Sequence, residues 1–152
     1  MTQAESKAEL RLRITRKFDA PREEVCRAWT DPEALQPWWF VGDGYAPGVA
    51  EIDLRAGGKY RLGMKSLEKN VDHVVGGVFR EVRVPEKLVY TWTWEDAESP
   101  HQMLITVEFL ARGAATEVVL VHENLPDTQS RTDHETGWNG VIAQLERFFA
   151  SK

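Results

Sequence analysis

The chain has 152 residues, a length suited to one domain with one core. A formal net charge of −5 with no Lys/Arg cluster excludes a generic nucleic-acid binder and disfavours anionic membrane surfaces. No apolar run approaches a membrane span, the polar start lacks a signal-peptide core, and a single cysteine, Cys26, excludes an internal disulfide, so the expectation is a soluble cytoplasmic protein.

Residues 1–9 read as a loose tail and 10–152 as a single domain. Leu10, Leu12 and Ile14 alternate with polar residues, the pattern of a half-buried strand, and the alternation slips before Phe18, which predicts a bulge or strand end. Asp19-Ala20-Pro21 followed by acidic residues starts a helix with Val25, Ala28 and Trp29 on one face. Thr30-Asp31-Pro32-Glu33 starts a second short helix that presents Leu35, Trp38 and Trp39. A Gly/Pro-rich loop spans Gly42 to Gly48.

Strands then follow over 49–55, 59–66, 72–84, 88–94, 102–111 and 116–123. Gly57-Gly58 marks a turn, and Gly76-Gly77 marks a bend in the third of these strands. Alternation places Tyr60, Leu62 and Met64 on one face; Leu88, Tyr90, Trp92 and Trp94 on one face; and Met103, Ile105, Val107 and Phe109 on one face. The period then changes. Trp138, Val141, Ile142, Leu145, Phe148 and Phe149 recur at helical spacing, which predicts a helix from between Thr128 and Thr132 to about Ala150. Gly137 and Gly140 each cost that helix about 1 kcal/mol relative to Ala. Either the helix approaches a neighbour closely there, or it starts later, near Asn139.

Six strands joined by short turns make an antiparallel meander. A helix with an apolar stripe and no other partner must lie across it, and a sheet curled round one helix leaves a cavity between the two. The predicted fold is α+β, with a curved antiparallel sheet of about seven strands wrapped round a long C-terminal helix.

The ordered blocks Ala20-Pro21…Trp29-Thr-Asp-Pro-Glu33…Trp38-Trp39, Asp53-Leu-Arg-Ala-Gly-Gly-Lys-Tyr60, Gly77-Val-Phe-Arg-Glu-Val82…Pro85-Glu-Lys-Leu-Val-Tyr-Thr-Trp92, Thr116–His122 and Gly137-Trp138…Leu145 resemble the activator of Hsp90 ATPase homologue 1-like family, within the START/Bet v 1-like (SRPBCC) superfamily. The resemblance implies a helix-grip fold and a deep, mostly apolar cavity. It also implies that lipids, hormones, polyketides or other aromatic products are the kind of molecule held, sometimes for catalysis. It carries no fixed catalytic motif, and the chain has no room for the large N-terminal domain with which the eukaryotic activator engages Hsp90.

Residues expected to meet an apolar, aromatic or lipid-like ligand are Trp38, Trp39, Phe40, Tyr60, Met64, Trp92, Trp94, Met103, Ile105, His122, Trp138, Val141 and Leu145. His122, which ends a strand beside Val118 and Leu120, is the one candidate for a general base, against a structural role. His134 and Glu135 read as a solvated helix start, His73 and His101 as surface, and Cys26 as an inert core thiol. Glu51, Asp53 and Arg55 read as a solvated face, with a buried Asp53–Arg55 pair as the alternative. No zinc spacing, nucleophile elbow or phosphate loop is present, so no metal and no cofactor are expected. The expected activity is that of a carrier, sensor or sequestering protein. A cyclase, dehydratase or hydrolase on the same ligand is the alternative, and an Hsp90-type co-chaperone a third reading. The expected assembly is a monomer or homodimer.

Overall fold

A computed structural model describes residues 10–150; the tail assigned to 1–9 lies outside them. The elements run β1 (Arg11–Phe18), α1 (Arg22–Thr30), α2 (Pro32–Leu35) with a 3-10 turn (Gln36–Trp38), β2 (Tyr45–Ile52), β3 (Lys59–Ser66), β4 (Val71–Arg83), β5 (Lys87–Trp94), β6 (Met103–Arg112), β7 (Ala115–Glu123) and α3 (Thr128–Ala150). The seven strands form one antiparallel sheet in the order β1-β7-β6-β5-β4-β3-β2. Every β2–β7 neighbour pair is sequential, as short turns require, and only β1 crosses over to pair with β7. The two short helices fill that crossover. The result is a curled sheet gripping α3.

Local chemistry explains the elements. Pro21 precedes α1, and Glu23 and Glu24 sit in its positive first turn. Asp31 ends α1 and caps α2, its Oδ1 accepting from the Glu33 amide at 3.1 Å. On β6 the buried positions are Met103, Ile105, Val107 and Phe109, the alternation read from the sequence. Trp138, Val141, Ile142 and Leu145 of α3 are buried against the sheet. At about 2 kcal/mol per large side chain, that stripe contributes on the order of 10 kcal/mol before entropy.

Three expectations change or narrow. Of the bulge or strand end expected before Phe18, the bulge is absent, since the register with β7 is continuous from Arg11 to Phe18, and β1 does end at Phe18. Arg16 occupies an inward position, and its Nη2 donates to Asn139 Oδ1 of α3 at 2.8 Å, so a paired polar residue interrupts the apolar alternation without a bulge. The loop expected over 42–48 yields to β2 at Tyr45, whose pairing with Ser66 opens a ladder that tolerates Pro47 on this edge strand. The bend in β4 falls not at Gly76-Gly77 but between Phe79 and Glu81, where the register with β5 shifts. Gly77 serves close approach instead, since a Cβ there would collide with the Thr91 carbonyl.

Both helix glycines lie inside α3, which disposes of the later start. A Cβ at Gly140 would collide with the Val41 carbonyl, so close approach is the reason for that one. A Cβ at Gly137 would meet nothing within 4 Å. Asp53 and Arg55 pair at 2.9 Å beyond the end of β2, with both side chains more than half exposed, so the pair is a surface one.

Candidate ligand-binding site

Between α3 and the β3–β5 side of the sheet lies a cavity of about 570 Å³, within the range of pockets that hold drug-sized molecules. Its walls are Trp39, Val41 and Tyr45 from the segment after α2; Met64 and His73 from β3 and β4; Trp92, Trp94 and Asp96 from β5 and its end; and Asp133, His134, Gly137, Trp138 and Val141 from α3. Six of the expected residues are brought together: Trp39, Met64, Trp92, Trp94, Trp138 and Val141.

The other seven are elsewhere. Trp38 is wholly buried and donates from Nε1 to the Ala28 carbonyl at 3.1 Å. Phe40 packs half-buried against the core. Tyr60 is buried among Phe79 and Tyr90, donating to the Thr91 carbonyl at 2.5 Å. Met103, Ile105, His122 and Leu145 are buried beneath the cavity wall, not in it. Alternation gives the face of a strand and not how deeply each inward residue is covered, and these four are fully covered by neighbouring side chains.

The aromatic wall is continuous. The Trp92 and Trp138 rings lie 5.1 Å apart, Trp39 and Trp138 5.7 Å, and Trp92 and Trp94 5.5 Å. Such pairs add about 0.5–1.5 kcal/mol each beyond area burial. Trp92, only 3% exposed, has no acceptor for its Nε1 among the described residues. A buried, unpaired N–H costs about 1–3 kcal/mol.

Two Trp–His pairs set the wall's polar character. Trp138 Nε1 donates to His122 Nδ1 at 3.0 Å, and Trp94 Nε1 donates to His134 Nε2 at 2.9 Å. An indole N–H is a donor only, so each accepting nitrogen is deprotonated. The remaining nitrogens carry the protons. His122 Nε2 faces Met103 Sδ at 3.2 Å, and His134 Nδ1 donates to the Ser130 carbonyl at 2.8 Å. Burial, with His134 as the lesser cause, pushes His122 down to about 2. Burial also lowers His134, against the opposing pull of the Ser130 carbonyl and Asp133. Their rings are 4.6 Å apart, close enough that two imidazolium charges would repel.

His122 is therefore a neutral, fully engaged wall support. His134 is not the solvated residue expected at a helix start but part of the cavity wall. Four residues before Trp138, it extends the stripe that continues through Val141 and Leu145, and that spacing was the signal available in the sequence. His73 also belongs to the wall, near Tyr45 and 3.3 Å from Asp96. His101 stays near the surface, its Nε2 2.7 Å from the Asn124 carbonyl. Cys26 is fully buried, and burial raises its thiol to about 11 against the nearby Arg22, which leaves it inert. Among the described residues no three His, Cys, Asp or Glu side chains converge as metal ligands, and no helix is long and apolar enough to cross a membrane.

A curled sheet closed over one long helix, with an aromatic cavity between them, defines a helix-grip protein. The sequence profile of the family described as activator of Hsp90 ATPase homolog 1-like protein matches residues 19–150, and the chain belongs to that family. Among solved structures it is similar to a protein of Chromobacterium violaceum, at 29% identity and a TM-score of 0.83 over 91% of this chain and 96% of that one. A protein of Nitrosomonas europaea shares 26% identity at a TM-score of 0.76, over 95% and 96%. An AHSA1 protein of Silicibacter pomeroyi shares 23% identity at a TM-score of 0.81, over 92% and 97%. No curated protein matches the chain.

Proposed function

We propose that this protein binds an apolar, ring-containing small molecule between the sheet and α3, as a carrier, sensor or sequestering protein. The single observation that carries this reading is the cavity of about 570 Å³ walled by Trp39, Trp92, Trp94 and Trp138. Gly137 supports it: a glycine inside a helix, unfavourable by about 1 kcal/mol, with open space where a side chain would stand.

The enzyme alternative loses its expected base. Both His122 ring nitrogens are engaged, and the residue has no exposed surface. His134 has one nitrogen occupied by Trp94 and the other by Ser130. A general base needs a free lone pair within reach of substrate, and neither histidine offers one.

The test is native mass spectrometry of protein purified from its own host, followed by thermal-shift measurement against aromatic and lipid ligands. A co-purified small molecule that is lost in a Gly137→Leu variant is the expected result. No bound mass, together with no shift across the panel, overturns the reading.

A further inference from the structure

The chemistry of the cavity's charged residues narrows the ligand, and this inference rests on the binding reading above. The walls contain two carboxylates, Asp96 at the end of β5 and Asp133 in the first turns of α3, and no Lys or Arg. Asp133 Oδ1 accepts only from the neutral Gln129 amide, at 3.0 Å. Asp96 Oδ2 faces His73 Nδ1 at 3.3 Å, and its side chain is 50% exposed. His134, held as an acceptor by Trp94, supplies no compensating positive charge. The rest of the wall is aromatic and aliphatic, with Trp39, Trp92 and Trp138 presenting the ring type that attracts cations best.

We infer that the cavity selects hydrophobic cations: molecules with an apolar ring body and an amine, the ammonium near Asp96 and Asp133 and the body against the tryptophans. Two carboxylates, one of them facing His73 and neither paired with a Lys or Arg, favour that charge and repel its opposite. Fatty acids and aromatic carboxylates, which fit the apolar walls equally well, are disfavoured by charge alone.

Calorimetric titration at about pH 7.5 with three probes of one ring system tests this: 2-naphthylmethylamine, 2-naphthylmethanol and 2-naphthoate. The expected order of affinity is amine, alcohol, carboxylate, with about tenfold or more between the ends, the equivalent of one or two favourable charge interactions. Raising NaCl from about 20 to about 500 mM should weaken the amine, strengthen the carboxylate and leave the alcohol nearly unchanged, because only the charge contribution is screened. A D96N/D133N double variant should lower the amine-to-alcohol affinity ratio. Equal affinity for all three probes, or tightest binding of the carboxylate, overturns the inference and leaves the apolar pocket standing. Failure of all three to bind overturns the pocket reading with it.

Discussion

The packing on the two sides of Trp138, one closed end and one open, is built from the same materials and differs in one respect. At the closed end, Trp29 packs on Trp38 at 5.2 Å and on Phe109 at 5.9 Å, and donates from Nε1 to Tyr90 Oη at 3.2 Å. The void left beside Trp29, Tyr60, Phe79 and Tyr90 is about 10 Å³, no more than a single water needs. At the open end, Trp39, Trp92, Trp94 and Trp138 surround about 570 Å³. Trp29 and Trp138 stack at 6.3 Å, so one aromatic spine joins a solid half to a hollow half. Aromatic content therefore does not distinguish core from pocket. What distinguishes them is whether α1 and α2 plug the space or whether Gly137 leaves it open.

The largest expected effect lies at the closed end. Trp29→Ala should cost about 3–5 kcal/mol of stability in urea denaturation, because the hole it leaves cannot fill with solvent. Trp94→Ala, bordering space that is already open, should cost less than half as much. Equal costs would break the distinction between the two ends.

Gly140→Ala comes next. The added methyl meets the Val41 carbonyl, and moving α3 away from that segment should cost about 1–3 kcal/mol by the same measurement.

Acid should loosen the hollow end. The folded-state pKa values of His122 and His134 are both lowered, so the unfolded chain takes up protons first, near pH 6.5. The histidine contribution is fully present above about pH 6.5 and is lost as pH falls below it. For His122 the loss continues toward its folded value of about 2, at on the order of 1 kcal/mol per pH unit. Asp133 opposes the effect at His134 by favouring the proton. Urea midpoints between about pH 7 and pH 5 should fall, and they should fall less in a His122→Asn variant.

The smallest effect has the opposite sign. Gly137→Ala should raise stability by up to about 1 kcal/mol, since the methyl meets open space and Ala is the better helix former. Gly137→Leu should weaken 2-naphthylmethanol binding in the calorimetric titration while leaving the fold intact. Two glycines three residues apart on one helix should thus respond to Ala in opposite directions.

Much of this was legible before any coordinates. Period-two alternation placed Tyr60, Leu88, Ile105 and Val107 inward, and the stripe from Trp138 to Leu145 identified the face of α3. The edge strand β2 was partly hidden, because Gly44, Pro47 and Gly48 read as a loop until β3 pairs with them. Arg16 looked like a break in β1 because its partner, Asn139, is 123 residues away. His134 was read from its polarity, although its spacing from Trp138 put it on the buried stripe. The depth of Met103, Ile105, His122 and Leu145 was not readable at all.

The sequence by itself determined which faces are apolar and in what order strands and helices follow. Those are local properties, set by side-chain period and turn chemistry, and with short connections they leave few ways to pair the strands. Only the tertiary structure decided which inward residues are sealed and which border space, because that depends on which side chains of distant elements cover each one. It also decided that His122 and His134 are neutral. Each becomes an obligate acceptor only when folding buries it against a tryptophan N–H from another element.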